Sequence, residues 1–347
     1  MKILVCALET SSNIHLKELK KYLNDDIELI GIFDKSLGNP KYDISDLAVM
    51  GFVDVLMKLP FFLKLNNEMV ELASSADKIL LMDNSGFNLP LAKKIRKKYP
   101  NKEIIYYILP QAWAWKKKRI PVIEQTCDKL LSILPFEKDF YSLKDKIQYV
   151  GHPLLDEINT FKQTLSQTNK IAFMPGSRKG EITKLMPIFI EVQKQLQGEA
   201  ILIIPPHFTQ EYIDKIYGDI SAFTITTNAH QTLETVDFAF ICSGTATLEA
   251  SIIGTPFVLS YIAKPIDYFI AKNLVKIKYI GLANIFFEKM GKEPIHKELI
   301  QENVTVDNLI IEYKNMDKEK FLVNSKLLRE YLQNGSSKTV ANILNSI

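Results

Sequence analysis

The fold is indicated most clearly by residues 170–181, which read Lys170-Ile171-Ala172-Phe173-Met174-Pro175-Gly176-Ser177-Arg178-Lys179-Gly180-Glu181. The opening apolar run predicts a short buried strand, and a helical pattern begins at Glu181, after a loop that contains two glycines. A strand, a tight turn and a helix in succession form one unit of an α/β fold, in which ligands bind at the carboxyl ends of the strands. Functional residues are therefore expected directly after strands.

Units of the same kind extend in both directions from this stretch. Apolar runs predict a first series of strands at Ile3–Ala7, Glu28–Phe33, Lys78–Met82, Glu103–Ile108, Leu130–Ile133 and Gln148–Val150. A second series is predicted at Lys170–Met174, Ala200–Ile204, Phe223–Thr226, Phe238–Ile241 and Phe257–Ser260. Helical patterns lie between many of them, for example at Leu89–Tyr99, Glu181–Gln195 and Thr245–Ile253. This alternation predicts two doubly wound, Rossmann-like α/β domains with parallel sheets covered on both faces.

The polar stretch Asn159–Asn169 separates the two series and is the best candidate for a linker. The predicted domains are residues 1–160 and 168–320. Residues 321–347 are predicted as helices, interrupted at Gly335, that pack back on the N-terminal domain or on a partner chain. Two such domains in tandem are expected to face a central cleft between the carboxyl ends of their sheets.

The composition argues against several classes of protein. A net charge of +3 is too small to indicate nucleic-acid binding. The three cysteines and five histidines lack ligand spacing, so neither a metal nor another cofactor is expected. The opening apolar run is too short for a secretory signal, and no run is long and uncharged enough to cross a bilayer. These features indicate a cytoplasmic protein.

Two loops of the second domain suggest a site for a nucleotide diphosphate. Ser177 and Arg178 follow a strand, and Arg178, one of only four arginines, offers a planar charged donor to phosphate. Ser243-Gly244-Thr245 also follows a strand and opens a helix, whose first N–H groups favour a diphosphate. Glu249, about one turn later, could accept hydrogen bonds from ribose hydroxyls. Taken separately, the loops also fit an ordinary turn with a solvated arginine and a well-capped helix.

Two strands of the first domain are followed by carboxylates. Glu9-Thr10-Ser11 comes after the first strand and opens a helix, and Asp83 comes after a later strand. A carboxylate at a strand end facing a cleft is a natural general base for activating a sugar hydroxyl. A helix cap or turn residue is the alternative for Asp83.

Both tryptophans precede a run of four cations. Trp113 and Trp115 are followed by Lys116-Lys117-Lys118-Arg119. Such a tract could stack on a sugar, grip a phosphate or lie at a lipid headgroup interface. RNA binding uses the same residue types, but a single tract without a wider basic surface argues against it. Core aromatics followed by a solvated helix start are the alternative.

The segment Leu47–Leu65 is more apolar than one core-facing stripe requires. It is too short and too charged to span a bilayer, but it could lie on one. The predicted membrane-facing side chains are Met50, Phe52, Val53, Met57, Phe61 and Phe62, and the cations of 116–119 would add attraction to anionic lipid. A wholly buried helix or a dimer contact is the alternative.

Together, these motifs resemble the lipid-A-disaccharide synthases over nearly the whole chain. The matching blocks, in order, are Glu9-Thr10-Ser11, Leu47-Ala48-Val49-Met50-Gly51, the loop at Asp83, Trp113-Ala114-Trp115, Leu134-Pro135-Phe136-Glu137, Val150-Gly151-His152-Pro153, Pro175-Gly176-Ser177-Arg178 and Ser243-Gly244-Thr245-Ala246-Thr247-Leu248-Glu249.

The resemblance implies a GT-B glycosyltransferase of lipopolysaccharide synthesis in a Gram-negative bacterium. Such an inverting enzyme moves 2,3-diacylglucosamine from UDP to 2,3-diacylglucosamine 1-phosphate, forming the β-1,6 disaccharide precursor of lipid A. It implies a peripheral protein on the inner face of the inner membrane, without a metal, and homodimers that exchange C-terminal segments. It further implies Asp83 as the base, with Glu9, Thr10, Ser11 and Trp115 on the acceptor side. The implied UDP-sugar contacts are Ser177, Arg178, Ser243, Gly244, Thr245, Glu249 and Asn284.

The first loop departs from the family pattern Gly-Glu-Thr-Ser-Gly-Asp. Here Leu8, Ser12 and Asn13 replace two glycines and a carboxylate. The change leaves open a membrane-surface UDP-sugar binder without catalysis. Among enzymes, the alternative is another UDP-sugar transferase or epimerase of the same fold. The apolar Leu47–Leu65 segment favours a lipid substrate over a soluble sugar.

Overall fold

The computed structural model describes residues 1–49, 59–165, 167–264 and 278–346. The chain divides into two compact units, Met1–Glu157 with Leu332–Ile347, and Ile158–Tyr331. Each unit contains one sheet, and all the strand pairs in the described residues are parallel. The predicted α/β class with two parallel sheets is confirmed.

In the described residues of the first unit, seven strands lie in the order β3-β2-β1-β4-β5-β6-β7. They are β1 (Lys2–Ala7), β2 (Glu28–Phe33), β3 (Tyr42–Asp43), β4 (Lys78–Met82), β5 (Glu103–Tyr107), β6 (Lys129–Ser132) and β7 (Ile147–Tyr149). The helices are α1 (Thr10–Lys20), α2 (Ile44–Val49), α3 (Leu59–Leu72), α4 (Ser85–Lys98), α5 (Ala112–Trp115), α6 (Ile120–Thr126) and α7 (Leu154–Glu157), with 3₁₀ turns at Lys35–Leu37, Ala73–Ser75, Lys117–Arg119 and Glu137–Phe140.

In the described residues of the second unit, six strands lie in the order β10-β9-β8-β11-β12-β13. They are β8 (Lys170–Met174), β9 (Glu199–Ile203), β10 (Thr224–Thr226), β11 (Phe238–Cys242), β12 (Phe257–Tyr261) and β13 (Lys297–Ile300). The helices are α8 (Lys179–Gln195), α9 (Gln210–Ile216), α10 (Ala229–Thr235), α11 (Thr245–Ile253), α12 (Leu282–Lys289), α13 (Val306–Asn315) and α14 (Lys318–Leu332), with a 3₁₀ turn at Gln301–Asn303. The final helix, α15 (Ser336–Asn345), belongs to the first unit.

The strands are short apolar runs because both faces of each sheet are buried. Along β1, Leu4 and Cys6 pack into one core, while Ile3, Val5 and Ala7 pack into a second core on the opposite face. In the second unit, Phe173 stacks on Phe240 with ring centroids 5.1 Å apart. Burying each such side chain contributes about 1.5–3 kcal/mol, so these cores fix the strand ends that carry the polar loops.

The predicted C-terminal segment 321–347 is divided between the two units. In α14, Arg329 Nη1 donates to the Ile252 carbonyl at 2.7 Å, inside the second unit. By contrast, α15 packs on the first unit, where Lys78 Nζ donates to the carbonyls of Ile343 and Leu344 at 3.1 and 3.2 Å. The Asp156 carboxylate accepts from the backbone N–H groups of Gly335 and Ser337 at 2.6 and 2.7 Å, which caps α15. None of the helices in the described ranges is long and apolar enough to cross a membrane.

Candidate active site

The two predicted phosphate loops of the second unit line one cavity of about 440 Å³. It lies at the carboxyl ends of β8, β9 and β11, where the α/β architecture places ligands. The lining residues are Met174, Gly176, Ser177, Arg178, Glu181, Ile203, Ile204, Pro205, Pro206, Thr227, Ala229, Ile241, Cys242, Ser243, Gly244, Thr245 and Ala246. The wall formed by 203–206 was not predicted, because only the fold brings the end of β9 beside these loops.

The glycine loop is shaped by Glu181. Gly176 has φ +100°, and a Cβ at this position would lie 2.5 Å from Glu181 Oε2, so both backbone conformation and space require glycine. Arg178 donates from Nη1 to Glu181 Oε1 at 3.0 Å, yet its side chain is 81% exposed. An exposed ion pair of this kind is worth at most about 1 kcal/mol. An incoming phosphate can therefore compete with Glu181 for the guanidinium.

The second phosphate loop brings a helix N-terminus to the same cavity. Ser243 and Gly244 directly follow β11, and α11 begins at Thr245. Thr247 Oγ1 donates to the Gly244 carbonyl at 2.7 Å, which fixes the first turn of the helix. The positive end of the helix dipole therefore meets the Arg178 loop, and together they form a cradle for a diphosphate.

Glu249 lies on α11 four residues after Thr245 and is held by a histidine that was not predicted. His230 Nδ1 lies 3.2 Å from Glu249 Oε1, and His230 Nε2 lies 3.1 Å from Glu234 Oε1. His230 and Glu234 stand four residues apart on α10, a spacing visible in the sequence. The proximity of His230 to Glu249 arises only from the packing of α10 beside α11.

Asn284 is fully buried, which is inconsistent with its expected direct contact with the donor. Its Nδ2 donates to the His296 carbonyl at 3.0 Å and to Glu298 Oε1 at 2.9 Å. Its Oδ1 accepts from the His296 N–H at 3.2 Å. Glu298 also accepts from the N–H groups of Ile280 and Gly281 at 2.9 and 3.0 Å, just before α12 begins. Asn284 therefore shapes the backbone ahead of α12 rather than presenting its amide to a ligand.

In the first unit, Asp83 stands at the carboxyl end of β4 with φ +48°. Its carbonyl accepts from Tyr106 Oη at 2.5 Å and from Asn88 Nδ2 at 3.0 Å, which holds this unusual backbone. The next residue, Asn84, caps α4 by accepting from the Phe87 N–H at 3.2 Å. Because Asn84 caps the helix, the carboxylate of Asp83 is left for another role.

Glu9 and Asp83 follow the adjacent strands β1 and β4, and their carboxyl groups interact. Burial raises the pKa of Asp83 above its usual range, and the hydrogen bond from the backbone N–H of Asn84 partly opposes this increase. The pKa of Glu9 is raised by burial and then by the negative charge of Asp83. The raised pKa values bring both carboxyl groups nearer to neutral pH, the range that suits a general base.

The first loop, which departs from the family pattern, is held in place by Asn13, one of the residues that differ. Asn13 Nδ2 donates to the carbonyls of Ala7 and Glu9, each at 2.8 Å. Asn13 Oδ1 accepts from the Asp34 N–H at 2.7 Å. These bonds join the ends of β1 and β2. Glu9 and the helix start at Thr10 and Ser11 are therefore fixed at the same sheet edge as Asp83.

The two halves of the aromatic and basic tract have different environments. Trp113 is buried, with its ring centroid 4.9 Å from that of Phe136, so it belongs to the core. Trp115 ends α5. Lys116 and Arg119 are half-buried and line a small cavity with Asp83, whereas Lys117 and Lys118 are exposed.

The predicted membrane segment is only partly described. Met50, Phe52, Val53 and Met57 lie outside the described residues. Phe61 and Phe62, on α3, are half-buried against the core of the first unit, and the Phe62 ring centroid lies 6.3 Å from that of Phe87. The neighbouring Leu63 is 51% exposed. In this segment, Leu63 is therefore a better candidate than Phe61 or Phe62 for a lipid contact.

Glu137, in the matching block Leu134-Pro135-Phe136-Glu137, is a completely buried carboxyl group whose burial could not be foreseen. Ser132 Oγ donates to Glu137 Oε2 at 2.5 Å. Burial raises the Glu137 pKa from 4.5 to about 8. The folded state thus favours the protonated form, and the stability this provides is present below pH 4.5 and is lost as the pH rises to about 8.

Glu137→Gln should remove this pH dependence. Between pH 5 and 8, the free energy of unfolding of the variant should rise relative to wild type by about 1.4 kcal/mol per pH unit. Urea titrations followed by tryptophan fluorescence measure it, because both tryptophans lie in the first unit. If the difference in the free energy of unfolding between Glu137→Gln and wild type did not change with pH, Glu137 would not be protonated in the folded protein.

Comparison with known proteins identifies relatives along the whole chain. The family model described as Lipid-A-disaccharide synthetase matches residues 3–346. A lipid-A-disaccharide synthase of Helicobacter pylori strain G27 is 49% identical over 353 residues, covering 98% of this chain and 97% of the relative. The corresponding protein of Campylobacter jejuni strain RM1221 is 49% identical over 365 residues, covering 99% of both chains.

Solved structures share the fold at much lower identity. UDP-GlcNAc 2-epimerase from Neisseria meningitidis superposes with a TM-score of 0.62 at 10% identity, covering 99% of each chain. MurG from Acinetobacter baumannii superposes with a TM-score of 0.57 at 12% identity, covering 100% of this chain and 99% of that one. These likenesses, with the two parallel sheets, establish the predicted GT-B fold.

Proposed function

Because the chain belongs to the lipid-A-disaccharide synthetase family, we propose that its two units divide the reaction of that family between them. The protein is a GT-B hexosyltransferase of lipid A biosynthesis. Its reaction transfers 2,3-diacylglucosamine from UDP to the 6-hydroxyl of 2,3-diacylglucosamine 1-phosphate and releases UDP.

The second unit binds the UDP part of the donor in this proposal. The observation that carries it is the joining of the Arg178 loop and the Ser243–Thr245 turn in one cavity of about 440 Å³, a size typical of small-molecule sites. The diphosphate lies against the N-terminus of α11 and the guanidinium of Arg178. Glu249, oriented by His230, lies one helical turn farther on for the ribose. Asn284 contributes indirectly, by fixing the backbone before α12.

The first unit activates the acceptor. Asp83 removes the proton of the 6-hydroxyl as that oxygen forms a bond to the anomeric carbon of the donor. The bond from this carbon to the UDP oxygen breaks, and its electron pair passes to the β-phosphate. Arg178 and the start of α11 stabilise the charge that develops there. Attack opposite the leaving group inverts the anomeric centre and gives the β-linkage.

An assay with both acylated sugars tests this assignment. Release of UDP and formation of the disaccharide should both depend on the acceptor. An epimerase would instead convert the UDP-sugar without an acceptor, and a non-catalytic binder would bind UDP without any turnover. The ordered first loop, held by Asn13, supports the catalytic alternative because it keeps Glu9 beside Asp83.

We also propose that the protein attaches reversibly to the inner face of the inner membrane, where acylated substrates reside. Leu63 exposes half of its side chain on α3, next to the segment of highest hydrophobicity. Inserting a leucine into lipid gains about 1.5–3 kcal/mol. Leu63→Asp is therefore expected to lower binding to anionic vesicles by about tenfold or more, measured by co-sedimentation.

Leu143→Asp is the matched control, because Leu143 is 42% exposed in the same unit but far along the chain from α3. It should sediment like wild type. Phe62→Ser is unsuitable as a test because Phe62 packs on Phe87 and its loss should destabilise the fold. Equal sedimentation of Leu63→Asp and wild type would place the membrane contact elsewhere.

A homodimer formed by exchange of α15 is part of the same proposal. Lys78 and Asp156 are among the groups of the first unit that hold α15. The α15 of a second copy would meet the same partners, so exchange would preserve these hydrogen bonds.

A further inference from the structure

The first unit contains a small cavity beside Asp83. Its volume is about 120 Å³, and it is lined by Asp83, Ser85, Pro110, Gln111, Ala112, Lys116 and Arg119. This is about the share of liquid volume that four waters occupy. The cavity is too small for an acylated sugar, but it has the size of a single compact polar group. Gln111 is exposed, so the cavity is reached from solvent.

The four consecutive cations, residues 116–119, lie in two different environments. Lys116 and Arg119 stand three residues apart at a 3₁₀ turn, a spacing that puts side chains on the same side. Both are half-buried and line the cavity, whereas Lys117 and Lys118 are exposed. Lys117 Nζ lies 5.7 Å from the centroid of the Phe140 ring. Two of the four cations, Lys116 and Arg119, therefore line the cavity, and the other two do not.

The two selected cations are held close together. Arg119 Nη1 donates to Ser85 Oγ at 2.5 Å, which anchors the guanidinium beside the start of α4. Partial loss of hydration and then the positive charge of Arg119 lower the pKa of Lys116. An anion bound in the cavity would receive charge-assisted hydrogen bonds from both side chains. Asp83 also lines the cavity, and burial raises the pKa of its carboxyl group above the usual range.

We propose that this cavity binds the anomeric phosphate of the acceptor, with Lys116 and Arg119 as its ligands and Ser85 orienting Arg119. The inference rests on the proposed function, in which Asp83 activates the 6-hydroxyl. The phosphate and the 6-hydroxyl are carried by the same pyranose ring. A ring whose phosphate enters this cavity therefore keeps its hydroxyl near Asp83, which forms part of the wall.

The same chemistry could come from the phosphate of a lipid headgroup. The positions of the cations favour the acceptor. A membrane surface would contact exposed cations, whereas the two cations that line the cavity are half-buried. The site would set the preference of the enzyme for a phosphorylated acceptor over the same sugar without phosphate.

Kinetics in neutral detergent micelles test the inference with Lys116→Ala and Arg119→Ala, and Lys118→Ala serves as the matched control. Loss of a charge-assisted contact should raise the KM for the phosphorylated acceptor by about ten- to a hundredfold. The KM for the donor should stay the same. The preference for phosphorylated over unphosphorylated acceptor should fall by a similar factor in these two variants and stay unchanged in Lys118→Ala. Arg119→Lys, which keeps the charge, should recover part of the preference. An unchanged preference in folded Lys116→Ala would overturn the inference.

Two binding measurements separate the other outcomes. Glucosamine 1-phosphate, titrated by NMR, should bind wild type more tightly than Lys116→Ala, whether or not the protein turns over. This result without any turnover would refute the proposed function but leave the phosphate site standing. Co-sedimentation with phosphatidylglycerol vesicles should be the same for wild type and Lys116→Ala. A loss of sedimentation with an unchanged preference among acceptors would assign the cations to lipid headgroups instead.

Discussion

Asp83→Asn is expected to lower turnover by about 10²–10⁴-fold, the usual effect of losing a general base. Asparagine keeps the size of the side chain but accepts no proton from the 6-hydroxyl. It also tolerates the left-handed backbone at this position, where φ is +48°. The fold should therefore persist, and the measured loss should be in the chemical step.

Calorimetric titration with UDP is the control for this variant. UDP affinity should be nearly unchanged, because the proposed UDP cavity lies in the second unit and Asp83 lies in the first. A parallel loss of UDP binding would reassign Asp83 to donor binding or to folding. Retention of wild-type turnover would require another base.

Arg178→Ala should lower turnover by about 10²-fold or more, as expected when a stabiliser of developing charge is removed. Its thermal stability should be close to that of wild type, because the side chain is 81% exposed and its ion pair with Glu181 contributes little. The measurement combines initial rates with a thermal melt.

Lys179→Ala is the matched control for this experiment. Lys179 is an exposed cation in the next position and does not line the cavity. Its loss should leave turnover near the wild-type level. If Arg178→Ala and Lys179→Ala behaved alike, the effect would be one of general surface charge rather than of a positioned guanidinium.

The sheets could be predicted from the sequence because their central strands are short, continuous apolar runs. Lys78–Met82 and Lys170–Met174 were predicted with the bounds that the structure gives them. Two of the four edge strands in the described residues, Tyr42–Asp43 and Lys297–Ile300, were not predicted. An edge strand pairs on one side only, so it can be short or carry charged residues and lose the apolar pattern. These two strands form because a neighbouring strand, β2 or β12, offers backbone hydrogen-bonding groups to them.

The family and its reaction could be predicted because eight blocks of the sequence resemble the lipid-A-disaccharide synthases, and the comparisons confirm both. The environments of individual side chains could not be predicted in the same way. Burial of Asn284 depends on Glu298 and His296, which become its neighbours only through the fold. Likewise, Phe62 matches an apolar surface pattern but packs on Phe87. Sequence spacing gives the face of a helix but not what covers that face.

The return of α15 to the first unit has a consequence for synthesis on the ribosome. The second unit, Ile158–Tyr331, is one continuous segment, but the first unit includes a helix that is translated after all of it. The second unit can therefore complete its core while the first still lacks Val340 and Leu344, which fill one face of its sheet. The nascent protein would emerge with its later-made half finished first, reversing the usual N-terminal order of domain folding.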